Sequence, residues 1–261
     1  MKLDFSGKRA LVSGSTAGIG KAAAKKLASL GAAVTLVARD EDKLKKTLEE
    51  LSTSNGQKHD YLVADFTQPA VLKEKVGKAV EEKTYHILIN NTGGPKGGPL
   101  LDATPEEFQQ AFTMHVICNQ ILAQALVPGM KKENFGRIVN VISTSVKQPI
   151  DNLGVSNTIR GAVASWSKTM ANELGSSGIT VNNVLPGFTA TGRLDDVISQ
   201  ASKKSGKSEE EASENMKNSV PAKRFAQPEE VADAIVFLSS EEAGYINGIN
   251  LPVDGGRTKS L

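Results

Sequence analysis

The sequence predicts an α/β fold in which a doubly wound parallel sheet is covered by helices on both faces. Seven short runs of aliphatic and β-branched residues alternate with longer segments of helical period. The runs are apolar on both faces, which is typical of strands buried on two sides. Short connections between strand and helix imply right-handed crossovers. At 261 residues, the chain is expected to form one domain over 1–261.

The predicted elements follow in regular order. Strands are expected at 9–14, 33–38, 61–65, 87–90, 137–143, 179–185 and 249–253, and helices at 19–30, 41–54, 69–83, 105–130, 153–175 and 228–239. The helix at 105 has the clearest start, because Thr104 can cap it, Pro105 suits its first turn and Glu107 can close a capping box. A polar, charged stretch lies at 192–220, and its most polar part is 195–220. It is interpreted as a substrate lid or as plain surface.

The composition argues against several classes of protein. Lys+Arg 31 against Asp+Glu 29 gives a net charge of +2, so no nucleic-acid partner is expected. The N-terminus enters a strand almost at once, which leaves no room for a signal peptide. No run of about 18 apolar residues predicts a membrane span. The single Cys118 fits a reducing compartment and is read as core or as a reactive thiol, so a cytoplasmic protein is expected.

A glycine-rich turn, SGSTAGIG, joins the first strand to the first helix. Gly14 permits the tight turn, Gly18 lets the backbone approach a phosphate, and Gly20 lets the helix pack closely. The helix N-terminus adds free N–H groups and a positive dipole end. The turn therefore predicts a dinucleotide pyrophosphate site, with a purely structural turn as the alternative. Its residues are Gly14, Ser15, Thr16, Gly18, Ile19 and Gly20.

The end of the second strand predicts which dinucleotide is bound. Arg39 stands nineteen residues after Gly20. An Arg at this point accommodates the 2′-phosphate of NADP, whereas an acidic residue binds the ribose of NAD. NADP(H) is therefore favoured over NAD(H). A shift of one residue would place Asp40 there and reverse the prediction, and Arg39 could also be a plain surface residue.

Further motifs resemble those of the short-chain dehydrogenase/reductase family over nearly the whole chain. NNTG at 90–93 resembles the family's NNAG, and GRIVNVIS at 136–143 resembles its fifth strand with the catalytic serine. GITVNNVLPGFTAT at 178–191 resembles its sixth strand and nicotinamide loop, and VDGG at 253–256 its C-terminal signature. The resemblance implies a Rossmann-type fold, an oxidoreductase acting on a small molecule, and a homotetramer.

The resemblance also implies cofactor contacts outside the glycine turn. These are Asp65 and Phe66 at the adenine, Asn91 and Gly93 at the ribose, Arg160 at the ribose, and Pro186, Gly187, Thr189 and Thr191 at the nicotinamide. Asp65 could instead cap the helix that follows it.

The resemblance breaks at the catalytic positions. The family uses a Tyr as proton donor, a Lys four residues later, a Ser that orients the carbonyl and an Asn in a water relay. Ser143 matches the serine, but the other positions fall on Ser156, Arg160 and His115. The flanking segments GAVASWSKTMANEL and GITVN hold this alignment in place. The pattern resembles a divergent subgroup with Ser and Arg in place of Tyr and Lys.

These replacements change the chemistry. The Ser156 hydroxyl is shorter than a phenol and a poorer acid, and Arg160 stays charged, so it can anchor a ribose or a substrate anion but cannot shuttle protons. His115 has a suitable intrinsic pKa for acid–base work, or it is a packed core histidine. Lys147 would lie in the loop over the site as a candidate proton donor, or as an exposed loop lysine.

Two functions remain in competition. The first is an NADP-dependent oxidoreductase with an atypical site, for which 3-oxoacyl compounds are one candidate substrate class. The second is a catalytically silent NADP(H)-binding sensor or scaffold protein. Tyr61, Tyr85 and Tyr245 are expected to lie far from the site, so no other phenol replaces the missing one.

Overall fold

The computed structural model describes residues 3–260. Seven parallel strands form one sheet in the order β3-β2-β1-β4-β5-β6-β7. The strands are β1 Arg9–Ser13, β2 Ala33–Ala38, β3 Asp60–Val63, β4 Ile87–Asn90, β5 Gly136–Val141, β6 Ile179–Pro186 and β7 Asn250–Val253. The strand order reverses between β1 and β4, so a crevice opens there at the carboxyl ends of the strands. The predicted Rossmann-type single domain is confirmed.

Nine helices occur among the described residues, and they cover both faces of the sheet. They are α1 Gly18–Ser29, α2 Glu41–Glu49, α3 Pro69–Glu82, α4 Pro105–Phe112, α5 Cys118–Lys132, α6 Gly154–Leu174, α7 Gly192–Ser205, α8 Glu209–Asn218 and α9 Pro228–Leu238. Alternate side chains of β1 enter opposite cores. Val12 packs with α1 and α9 on one face, whereas Leu11 packs with α3 and α5 on the other.

Several boundaries differ from the prediction for identifiable reasons. The helix predicted over 105–130 extends to Lys132 and contains a π-helical turn at Thr113–Ile117. The capping box of Thr104 and Glu107 at its start is confirmed. β5 ends at Val141, because Ser143 already caps the 3₁₀ turn that follows. The polar stretch forms two helices, separated where Gly206 ends α7 with a φ of +69°.

Cys118 lies in the core rather than at a reactive site. Its thiol donates to the Phe66 carbonyl at 3.2 Å, and burial, followed by the nearby charge of Asp65, raises the pKa of Cys118 to about 12. A thiol with so high a pKa is a poor nucleophile. Of the two roles proposed for Cys118, the structure supports the core residue.

The helical stretch Pro105–Lys132 requires one correction. Its length and a mean hydropathy of 1.2 are sufficient for a membrane span, although the sequence pattern predicted none. Leu122, Leu126 and Met130 of this stretch are buried in the core beside the sheet. The same composition is expected of a helix that packs inside a protein.

A row of asparagines crosses four neighbouring strands at one level. Asn90 donates to Asn140 at 2.8 Å, Asn140 donates to Asn183 at 3.0 Å, and Asn183 donates to Asn250 at 2.8 Å. Asn140 also donates to Ser167 of α6 at 2.8 Å. The same asparagines are paired in the strand register of β4 through β7. The row therefore joins the strands just below the crevice.

Candidate active site

The glycine turn has the close packing that a dinucleotide cradle requires. A Cβ on Gly20 would lie 2.3 Å from the Gly14 carbonyl oxygen and 2.5 Å from Nδ2 of Asn91. Gly14 and Gly18 have φ values of +60° and +52°, which side chains rarely adopt. A Cβ on Gly18 would come within 3.0 Å of the Thr191 methyl group. The turn thus meets the loop after β6, as expected if both contact one cofactor.

The start of α1 suits an anion. Its N-cap, Ala17, makes no side-chain cap bond, and its first turn has no acidic residue. The N–H groups there are left for a ligand such as a pyrophosphate. Ser15 is buried and donates to the Val37 carbonyl at 3.4 Å, and Ile19 packs against the core. Thr16 and Gly18 remain partly exposed.

Asn91 holds the glycine turn against β4. Its backbone N–H donates to Ser13 Oγ at 3.0 Å, and its side-chain amide donates to the Gly14 carbonyl at 3.2 Å. The Ser13 hydroxyl in turn donates to the Ile89 carbonyl at 2.9 Å. The structure therefore engages Asn91 with the turn itself, while Gly93 is exposed and has open space around it. Sequence reasoning did not assign a role to Ser13, although it is the first residue of the quoted motif SGSTAGIG.

The end of β2 presents Arg39 rather than Asp40. Asp40 caps α2 by accepting from the Lys43 N–H at 3.0 Å, so its carboxylate is already engaged. Arg39 is exposed next to it. Hydrogen bonds from Thr67 lower the pKa of Asp65, and the charge of Arg39 lowers it further. Arg39 and Asp65 therefore lie close to each other at the predicted adenosine end.

Asp65 and Phe66 occupy different environments. Asp65 accepts two hydrogen bonds at 2.9 Å from the N–H and hydroxyl of Thr67. It closes the turn before α3, whose N-cap is Gln68, so it does not itself cap that helix. The ring of Phe66 is buried in the core and is therefore not exposed at the adenine position that the resemblance assigned to it.

His115 lies in the π-helical turn and is 2% exposed. Its Nδ1 is 2.7 Å from Oγ1 of Thr92, a residue that sequence reasoning did not single out. Burial, with the charge of Arg160 as a second cause, lowers the pKa of His115 to about 2. The ring is therefore neutral at ordinary pH and has no imidazolium proton to donate. This is the packed histidine that the sequence left as the alternative to an acid–base role.

Arg160 is the charged group at the reacting end of the crevice. It is 7% exposed, and its Nη1 donates to the carbonyl of Val141, the last residue of β5, at 3.2 Å. Its Nη2 lies 3.8 Å from the position that a Cβ on Gly94 would occupy. Burial, followed by the charge of Arg193, lowers the pKa of Arg160 to about 10, so it remains a cation at neutral pH. Ser156 precedes it by one helical turn and is 9% exposed.

Ser143 and Lys147 bracket the 3₁₀ turn after β5. Ser143 Oγ accepts from the Ser145 N–H at 3.1 Å, which leaves its own hydroxyl hydrogen for another acceptor. Lys147 follows the turn and is partly buried rather than exposed. Its carbonyl accepts from the Ser260 hydroxyl at 3.4 Å. The structure thus brings Ser143, Ser156, Arg160 and His115 to neighbouring elements around the end of β5.

The loop after β6 lies against the C-terminal motif. A Cβ on Gly187 would be 2.7 Å from Cα of Asp254, so Pro186 and Gly187 place the chain close to VDGG. Thr189 donates to the Gly187 carbonyl at 3.2 Å, and Thr191 donates to the Thr189 carbonyl at 3.4 Å. These bonds shape the loop that the resemblance assigns to the nicotinamide.

Helices α7 and α8 lie loosely on the body of the domain. Each contributes one buried residue, Leu194 and Ala212, and a pocket of about 410 Å³ lies between Thr191 and the first turns of α7. Arg193 donates to the Pro95 carbonyl at 3.0 Å, which links α7 to the loop after β4. Among residues 3–260, no group of three or more His, Cys, Asp or Glu side chains could hold a metal ion.

Comparison with known proteins gives consistent matches over the full length. A family model described as enoyl-(acyl carrier protein) reductase matches residues 14–258. The 3-oxoacyl-[acyl-carrier-protein] reductase of Haemophilus influenzae is 35% identical, over 96% of this chain and 98% of that protein. The crystal structure of L-sorbose reductase from Gluconobacter frateurii, complexed with NADPH and L-sorbose, is 32% identical with a TM-score of 0.93 and covers 100% of both chains. A variant actinorhodin polyketide ketoreductase with NADPH is 30% identical, with a TM-score of 0.90 over 97% of both chains.

Proposed function

The chain belongs to the short-chain dehydrogenase/reductase family, and on that basis we propose that it is an NADP(H)-dependent oxidoreductase with an atypical reacting end. It reduces a carbonyl group, or oxidises an alcohol, on a small molecule. The observation that carries this proposal is the buried cation Arg160, which binds the last carbonyl of β5 and lies close enough to a neutral His115 to lower its pKa. A cytoplasmic location and a homotetramer stay predictions.

NADP(H) is the cofactor that the residues fit. The close packing of Gly14 and Gly20 and the uncapped start of α1 suit the pyrophosphate. Arg39 is exposed at the 2′-phosphate position, while Asp40 is engaged in a helix cap. The structures of the two solved relatives described above were determined with NADPH. When bound, the cofactor supplies or accepts the hydride.

Arg160 takes the place of the missing proton donor by stabilising charge. Negative charge develops on the carbonyl oxygen during reduction, and a fixed cation in a water-poor site stabilises it strongly. Ser143 can donate its hydroxyl hydrogen to the same oxygen, because its own oxygen already accepts from Ser145. The alkoxide then takes its proton from a water molecule, and the hydroxide that remains exchanges with bulk water, since the neutral ring of His115 has no imidazolium proton to give at neutral pH.

A cofactor-binding protein without catalysis is the second candidate. It is favoured by the positions of the tyrosines. The Tyr61 hydroxyl bonds Glu41 and the Tyr85 hydroxyl bonds Thr35, both at 3.0 Å and both near β2 and β3. Tyr245 is fully exposed. Among the described residues, no phenol therefore reaches the reacting end.

NADPH consumption over a panel of carbonyl compounds separates the two functions. The panel should contain 3-oxoacyl thioesters, ketoses, oxo acids and simple ketones. We expect turnover that falls in Arg160→Met and is partly kept in Arg160→Lys, which retains the charge. NADPH binding without turnover of any compound would favour the sensor.

Restoring the family's residues provides a second test. The triple variant Ser156→Tyr, Arg160→Lys and His115→Asn should raise reduction of generic ketones by about 10²–10⁴-fold, because a placed general acid contributes that much. The double variant that keeps Ser156 is the matched control and should show no such gain. A triple variant that folds and binds NADPH without any gain would show that the pocket is closed to carbonyls.

A further inference from the structure

Two guanidinium groups converge on the loop that follows β4. Arg160 reaches it from α6, with Nη2 lying 3.8 Å from the Cβ position of Gly94. Arg193 reaches it from α7 and donates to the Pro95 carbonyl at 3.0 Å. The two groups are close enough that the charge of Arg193 helps to lower the pKa of Arg160. The two cations thus lie next to adjacent residues of one short loop.

Neither cation has an acidic partner. Among residues 3–260, no Asp or Glu lies within ion-pair distance of Arg160 or Arg193, and this includes Asp195 and Asp196, which follow Arg193 on α7. Within the described part of the chain, the side chain of Arg160 makes a single hydrogen bond, to the Val141 carbonyl. It has five N–H donors and is only 7% exposed, so most of these donors have neither a protein partner nor free access to water. A buried charge beside a like charge is unfavourable unless an anion compensates it.

The cofactor does not compensate this positive charge, because the ribose that the resemblance assigns to Arg160 is uncharged. The uncapped start of α1 is available for the pyrophosphate, and Arg39 is available for the 2′-phosphate. Arg160 lies instead at the end of β5, on the carbonyl of Val141, which precedes Ser143 by two residues, and the reacting carbonyl is expected at this end of the strand. An anion at this point would therefore belong to the substrate.

We propose that Arg160 and Arg193 bind the carboxylate of a small oxo acid, which is the substrate of the site. This assignment of a substrate rests on the proposed oxidoreductase function. A planar guanidinium pairs well with a carboxylate through parallel hydrogen bonds. Arg160 lies deep in the site, and Arg193 belongs to the segment interpreted as a lid. The bound acid would therefore join α7 to the body of the domain.

Binding to the protein loaded with NADP⁺ provides a readout that needs no turnover. Pyruvate and acetoacetate are titrated by calorimetry, with their methyl esters as uncharged probes. We expect the acids to bind and the esters to bind at least about 10-fold more weakly, since a charge-assisted hydrogen bond is lost. Arg193→Met should weaken acid binding by about 10- to 100-fold, and Arg193→Lys, which keeps the charge, by less. Arg193 is exposed, and thermal unfolding checks that each variant is folded.

Three outcomes would overturn the inference. The acids and their esters could bind equally well, or acid binding could be unaffected by Arg193→Met. Arg193→Met could also weaken NADPH binding as much as acid binding, which would assign Arg193 to a cofactor phosphate. Turnover of neutral ketones that does not depend on Arg193 would support the proposed oxidoreductase function but contradict the proposed oxo acid substrate. Arg193-dependent acid binding without NADPH consumption would support the anion site and argue against the oxidoreductase.

Discussion

The neutral state of His115 makes the stability of this protein depend on pH. Folding lowers the pKa of His115 from its ordinary 6.5 to about 2. The unfolded chain therefore takes up a proton below pH 6.5 while the folded protein does not. The stability is fully present above the unfolded pKa and is lost as the pH falls from 6.5 towards 2. At about pH 5 the loss is about 2 kcal/mol, because each pH unit below the unfolded pKa costs about 1.4 kcal/mol.

His115→Asn removes this titration and should remove the loss with it. We expect the parent protein to lose about 2 kcal/mol more unfolding free energy than the variant between about pH 7.5 and pH 5. Urea unfolding at both pH values measures this, followed by the fluorescence of Trp166, the single tryptophan. Thr92→Val is the matched control, because it breaks the same hydrogen bond but keeps the imidazole. It should lower stability at both pH values and retain the slope of the parent.

Equal losses in the parent and in His115→Asn would refute this reasoning. His115 would then be protonated in the folded protein, so water would reach it and its pKa would lie near the usual range. An imidazole of that kind could act as a general acid. The pH profile of any reductase activity should in that case contain a step that disappears in the variant.

Two further predictions concern the cofactor and the lid. Arg39→Asp should reverse the preference for NADPH over NADH, because a contact to the 2′-phosphate worth about 1.5–3 kcal/mol is lost; equal affinities of the parent for both cofactors would remove the basis for this expectation. If the stretch 192–220 is a lid, hydrogen exchange in α7 and α8 should be fast in the free protein and slow with cofactor and substrate bound, whereas slow exchange in both states would make it ordinary surface.

The strands could be predicted because the pattern that indicates them lies within a few consecutive residues. Buried parallel strands are continuous apolar runs, and every predicted run became a strand whose ends differ from the prediction by at most two residues. The division of 192–220 into α7 and α8 also had a local signal: Gly206 ends one helix, and Ser208 with Glu211 forms a capping box for the next. The π-helical turn at Thr113–Ile117 had no such local signal, because the residues on either side continue as ordinary α-helix.

The site was predictable only where residues act within one motif. The glycine turn lies in a single stretch, so its packing could be anticipated. The contact between Thr92 and His115 joins residues 23 positions apart, and the approach of Arg193 to Pro95 spans 98 positions. Such contacts depend on how separate elements meet in three dimensions, and a single sequence carries no record of that. The asparagines of the row were visible at strand positions, but their pairing required the register.

The asparagine row has a consequence for how this enzyme scaffold can change. Any slip of one strand by a residue would break the amide bonds among Asn90, Asn140, Asn183 and Asn250 and leave buried polar groups unpaired. The strand ends that carry Asn91, Ser143 and Pro186 are therefore kept at fixed heights, so the floor of the crevice is a rigid template. On the proposed function, a different substrate would have to be accommodated by α7 and by the loop at 94–98. If 192–220 is a lid, changes of substrate specificity are expected in that segment rather than in the sheet.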